Sequence, residues 1–89
     1  MQLYNDIKFD IIPYMSQLEK LIEKIKRANT DVPLKDLEKI LTTFGYEKVR
    51  QKGSHVHFRK KGAPFFTVPT HEKKVKIVYV KEILKLLDV

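Results

Sequence analysis

The sequence predicts an α+β fold, because two amphipathic helical segments flank three short runs of strand-like alternation, and glycine turns separate those runs. The turns fall at Lys52-Gly53 and Lys61-Gly62. The resulting order is α-β-β-β-α with one further helix in front. It folds as a sandwich in which the helices cover one face of a three-stranded antiparallel sheet and leave the other face to solvent.

Residues 1–14 show no clean period and read as an irregular N-terminal arm. Residues 15–30 form the extra N-terminal helix. Ser16 and Glu19 have the spacing of a capping box, and Leu18, Leu21, Ile22 and Ile25 lie on one stripe before Asn29 and Thr30. Residues 31–89 carry the α-β-β-β-α domain. Pro33 suits the first turn of its first helix, which Leu34, Leu37, Ile40, Leu41 and Phe44 line until Gly45 ends it. Strands follow at Tyr46 to Gln51, Ser54 to Lys60 and Pro64 to Val68. Val80, Ile83, Leu84 and Leu87 then recur at helical spacing from about Tyr79 onward.

With 89 residues, 43% of them hydrophobic, the chain has room for a single small domain with a modest core. The absence of cysteine excludes disulfides and thiolate metal sites, and suits a reducing cytoplasm. No run approaches the roughly 18 apolar residues of a membrane span, so the expected protein is soluble and has no membrane partner. The formal charge is +7, and it is concentrated: residues 46–62 hold six Lys or Arg against one acid, whereas residues 15–45 hold six against five. The positive charge therefore belongs to the sheet, where it can attract nucleic acid, an acidic protein or an anionic surface.

The segment Lys52-Gly53-Ser54-His55-Val56-His57-Phe58-Arg59 places imidazoles within that basic sheet. Alternation sends His55, His57 and Arg59 to one face and Val56 and Phe58 to the other. Histidine exchanges protons near neutral pH, which beside Lys and Arg points to chemistry on a phosphodiester. The Gly53-Ser54 turn leaves room for a phosphate to approach. Alternation alone supports His57, which could equally be a surface residue without a task. His71 follows Thr67-Val68-Pro69-Thr70 in an expected loop, from which it could approach the sheet. Of Phe65 and Phe66, one ring belongs to the core and the other can face outward, where a base could stack. Three histidines without a supporting carboxylate at helical spacing make a poor metal signature, so neither metal nor cofactor is expected. No Gly-rich phosphate loop, cysteine nucleophile or G-x-S-x-G elbow is present, which excludes nucleotide-dependent enzymes and acyl hydrolases.

Lys52-Gly53-Ser54-His55, the nearby Phe58, Thr67-Val68-Pro69-Thr70-His71 and the closing apolar helix resemble the HicA toxins of HicA/HicB toxin-antitoxin systems. The resemblance runs from about Asp31 to Val89. It implies a double-stranded-RNA-binding-like fold and an mRNA interferase, an endoribonuclease in which the histidine of the Gly-Ser-His turn is required for activity. That role falls on His55. It also implies a HicB-like antitoxin protein that covers this histidine. It assigns no role to His57, and it does not make His71 catalytic.

The expected mechanism is metal-independent cleavage of mRNA with His55 as general acid or base. His71 is the candidate for a second acid or base, and Lys52 and Arg59 are candidates for stabilising the phosphorane. Gly53, Ser54, Lys73 and Lys74 complete the expected RNA contacts. Two other readings stay open: a noncatalytic double-stranded-RNA-binding module that grips phosphates by shape, and a protein-interaction module whose basic face accepts an acidic partner.

Overall fold

The structure, a computed structural model, describes residues 16–89. The irregular arm read over residues 1–14, with Met15, lies outside the described residues.

Helix α1 (Gln17–Arg27) opens on the predicted capping box. The Glu19 amide donates to Ser16 Oγ at 3.0 Å, and the Ser16 amide donates to Glu19 Oε1 at 2.9 Å. These bonds satisfy amides that have no partner within the helix. The apolar stripe buries Ile22 and Ile25 against helix α2 (Leu34–Thr43), whose Leu37, Ile40 and Leu41 are fully buried. The extra helix is thus part of the core.

Strands β2 (Glu47–Lys52), β3 (His55–Arg59) and β4 (Phe66–Pro69) form an antiparallel sheet in the order β2-β3-β4. Val56 and Phe58 of β3 and Phe66 and Val68 of β4 are buried. Between them lie exposed or half-buried residues that face the other way, as strand alternation requires. Helix α3 (Ile77–Leu86) adds Val80, Ile83 and Leu84 to the same cluster. The α+β sandwich with a double-stranded-RNA-binding-like order is therefore the observed architecture, with the first α-helix of the expected domain at Leu34–Thr43.

Some element ends shift: the last helix begins at Ile77 rather than about Tyr79, and Pro33 caps its helix from outside instead of standing in the first turn. Two further details differ from the expected elements. The third strand begins at Phe66 rather than Pro64, because proline has no amide to give to the ladder. A second, two-stranded ribbon also forms, in which β1 (Val32–Pro33) pairs antiparallel with β5 (Lys74–Val75). Strands of two residues are too short to show a period.

Candidate functional site

The hairpin between β2 and β3 turns through Gly53 and Ser54, with Lys52 paired to His55. Gly53 has φ +60° and Ser54 does not share that conformation, the pattern of a type II′ turn that requires glycine at its first position. Nothing lies within 4 Å of where a Gly53 side chain would begin, so the turn is open on that side.

His55 is the first residue of β3 and lies between Lys52 of β2 and Pro69 of β4. Its ring is exposed, and among the described residues it has no hydrogen bond or ion pair. The carbonyl of Ser54 accepts from both the amide and the hydroxyl of Thr70, at 2.7 and 2.9 Å. That double bond of the two segments fixes the chain just before His71 beside the turn that carries His55.

His71 itself does not sit in an open loop. It bridges to Lys74 through two backbone hydrogen bonds of 2.8 and 2.9 Å, closing a tight hairpin over Glu72 and Lys73. Both of those residues have positive φ, 51° and 65°, as a type I′ turn demands but without its usual Asn-Gly. The amide of Leu34, at the start of α2, donates to the Lys73 carbonyl at 2.8 Å and holds the hairpin down. Lys73 and Lys74 line an open groove of about 520 Å³ together with Lys35 and Lys48. This groove runs along the β2 edge toward the N-terminus of α2, so its lysines are offset from the His55 face.

Pairing register sorts the remaining cations. Val49 is an extra residue in β2: Lys48 pairs with Phe58, but Arg50 pairs with His57. The bulge sends Lys48 to the buried-side face, where its Nζ meets Glu38 Oε2 at 3.5 Å. Arg50 and Lys52 remain on the open face, opposite His57 and His55. Arg59 shares that face but lies four residues along β3 from His55, about 13 Å at the rise of a strand. Its guanidinium pairs with Glu47 at 3.4 Å. Lys52, Gly53, Ser54 and His55 are thus brought together with the Thr70-His71 segment, whereas Arg59 stands at the far end of the strand.

Sequence reasoning gave His57 no role, yet its ring makes two contacts, both with the β4 segment. Its Nδ1 is 3.1 Å from Thr67 Oγ1 across the β3–β4 pair, and its ring lies 5.7 Å from that of Phe65, tilted by 33°. A Thr directly opposite a His was the available signal, but it could be read only once the strand register was known.

Among the described residues, no group of three potential metal ligands comes together, and no helix is long and apolar enough to cross a membrane. Comparison with protein families matches residues 34–89 to the HicA toxin of bacterial toxin-antitoxin systems. The matched span includes His55 and His71 and leaves α1 outside it. No curated protein and no solved structure matches the chain.

Proposed function

The chain belongs to the HicA toxin family of bacterial toxin-antitoxin systems, and from that premise we propose that it is a metal-independent endoribonuclease that cleaves mRNA at His55. The observation that carries the proposal is the placement of His55: an exposed imidazole whose ring has no hydrogen-bond or ion-pair partner among the described residues, at an open glycine turn, opposite Lys52 on the basic face of the sheet.

In the proposed reaction His55 takes the proton of a ribose 2′-hydroxyl as O2′ attacks the adjacent phosphorus. The bond from phosphorus to the 5′-oxygen then breaks, leaving a 2′,3′-cyclic phosphate and a 5′-hydroxyl that receives a proton from a second group. His71 is the proposed donor, since Thr70 ties its segment to Ser54. His55 and His71 can exchange these roles without altering the products. Lys52 supplies positive charge to the phosphorane, and such stabilisation is worth on the order of a few kcal/mol in an organised site. Arg59, about 13 Å along the strand and paired with Glu47, serves a neighbouring phosphate of the strand rather than the reacting one.

The family's antitoxin acts in this proposal as a HicB-like protein that covers His55. Its contact surface is acidic, because sealing this face brings Arg50 and Lys52 into the interface. The site of action is the cytoplasm, where mRNA is found.

A second reading, a noncatalytic binder of double-stranded RNA, draws on the groove that holds Lys35, Lys48, Lys73 and Lys74. Cleavage of a synthetic oligoribonucleotide by the parent chain and by His55→Ala separates the two. The nuclease predicts fragments from the parent alone, and none when the nucleotide 5′ to each cut lacks its 2′-hydroxyl. RNA retained by both chains without a cut favours the binder.

A further inference from the structure

The unexplained feature of the open face is an aromatic ring left in water beside the site. Phe66 occupies the core position of the Phe65-Phe66 pair and stacks near Tyr46 with ring centroids 4.9 Å apart. Phe65 is left 55% exposed. Among the described residues its ring neighbour is His57, and that imidazole is held in place through Nδ1 by Thr67. The contact covers only part of Phe65. Arg50 lies directly across from His57 on β2.

We propose that Phe65 and His57 form a stacking platform for one unpaired nucleobase of the RNA, so that the site selects single-stranded over double-stranded RNA. The inference rests on the reading of His55 as the cleaving group. His57 is two residues from His55 on the same face, about 7 Å along the strand. A phosphate at His55 therefore brings the base of a neighbouring nucleotide to the platform. Aromatic side chains and imidazoles bind unstacked bases through their π-faces, and Arg can hold the adjoining phosphate or lie against the base. The basic character of the face supplies the complementary charge. A base within an A-form duplex is paired and stacked on both sides, and so is closed to such a ring. The fold suggests duplex recognition by shape, but the exposed ring next to the proposed reacting group favours a splayed single strand.

The chain contains no tryptophan, so Phe65→Trp introduces a single fluorescent reporter. In the full chain carrying His55→Ala, which prevents cutting, Phe65→Trp emission is quenched by a short oligoadenylate. It is not quenched by the same oligomer in a duplex, or by a base-free ribose-phosphate oligomer. Phe65→Ala in the same background weakens oligoadenylate binding roughly 5- to 150-fold, the range found for one base–aromatic stack. It leaves binding of the base-free oligomer unchanged. Equal affinity for oligoadenylate with Phe or Ala at this position, together with unchanged tryptophan emission, overturns the platform. The nuclease reading is tested separately, by cleavage with His55 intact. If that chain cuts while Phe65→Ala binds as well as its parent, the platform alone fails. If Phe65→Ala loses affinity while the intact chain cuts nothing, the nuclease alone fails and the platform stands.

Discussion

Gly45 shows how closely single residues hold the scaffold of the site. It follows α2 with φ +94°, while the Tyr46 amide donates to the Leu41 carbonyl and the Gly45 amide to that of Thr42. This is the Schellman arrangement, which favours glycine. Lys60 reaches across to give its Nζ to the Phe44 carbonyl at 2.7 Å, placing a cation at the negative end of the helix. A side chain on Gly45 would meet Lys60 Cε at 3.2 Å. Gly45→Ala is therefore expected to lower stability by about 1–2 kcal/mol, read as a shift in the urea midpoint without a change in slope. Chemistry is probed at the two histidines. His55→Ala should reduce cleavage to background. His71→Ala should slow it about 100- to 10,000-fold if it is the second proton-transfer group, and normal cleavage by that variant removes His71 from the mechanism. The position of His55 was legible in the sequence because Gly53-Ser54 announces its turn. The hairpin at His71 was not legible, because Glu72-Lys73 carries none of the residues that mark a turn with positive φ.

At the level of elements, strand alternation was enough to divide β3 into buried Val56 and Phe58 and outward His55, His57 and Arg59. It could not give distance along the strand, which is why Arg59 shares the His55 face without reaching His55. Nor could it reveal the bulge at Val49, an insertion visible only when β2 is paired with β3. Before pairing, Lys48, Arg50 and Lys52 look equivalent. After it, Lys48 belongs to α2 through Glu38, and Arg50 and Lys52 belong to the open face. Helix α1 lies outside the family match, yet Ile25 is only 2% exposed and packs in the common core. Ile25→Ala should destabilise the whole domain by about 2–5 kcal/mol, in a single transition followed by far-UV circular dichroism. An unchanged midpoint would mean that α1 is an appendage.

On the scale of the whole molecule, the helices and the buried halves of three strands make one core, which leaves the other sheet face free to carry charge. With Arg50 and Lys52 on that face and the lysine groove at its edge, affinity for RNA should be dominated by phosphate contacts. Engaging about three phosphates of a single strand gives a slope near −2 for log K against log salt. A slope near zero, from titrations at several salt concentrations, would show that the basic face is not the RNA surface. The central claim is that this face cuts RNA through His55 without a metal. Its most direct test is to incubate the purified chain and His55→Ala with single-stranded RNA in excess EDTA and identify the fragment ends by mass spectrometry. The account predicts 2′,3′-cyclic phosphate and 5′-hydroxyl ends from the parent only. Equal cleavage by both chains, or bound RNA left whole by the parent, would contradict it.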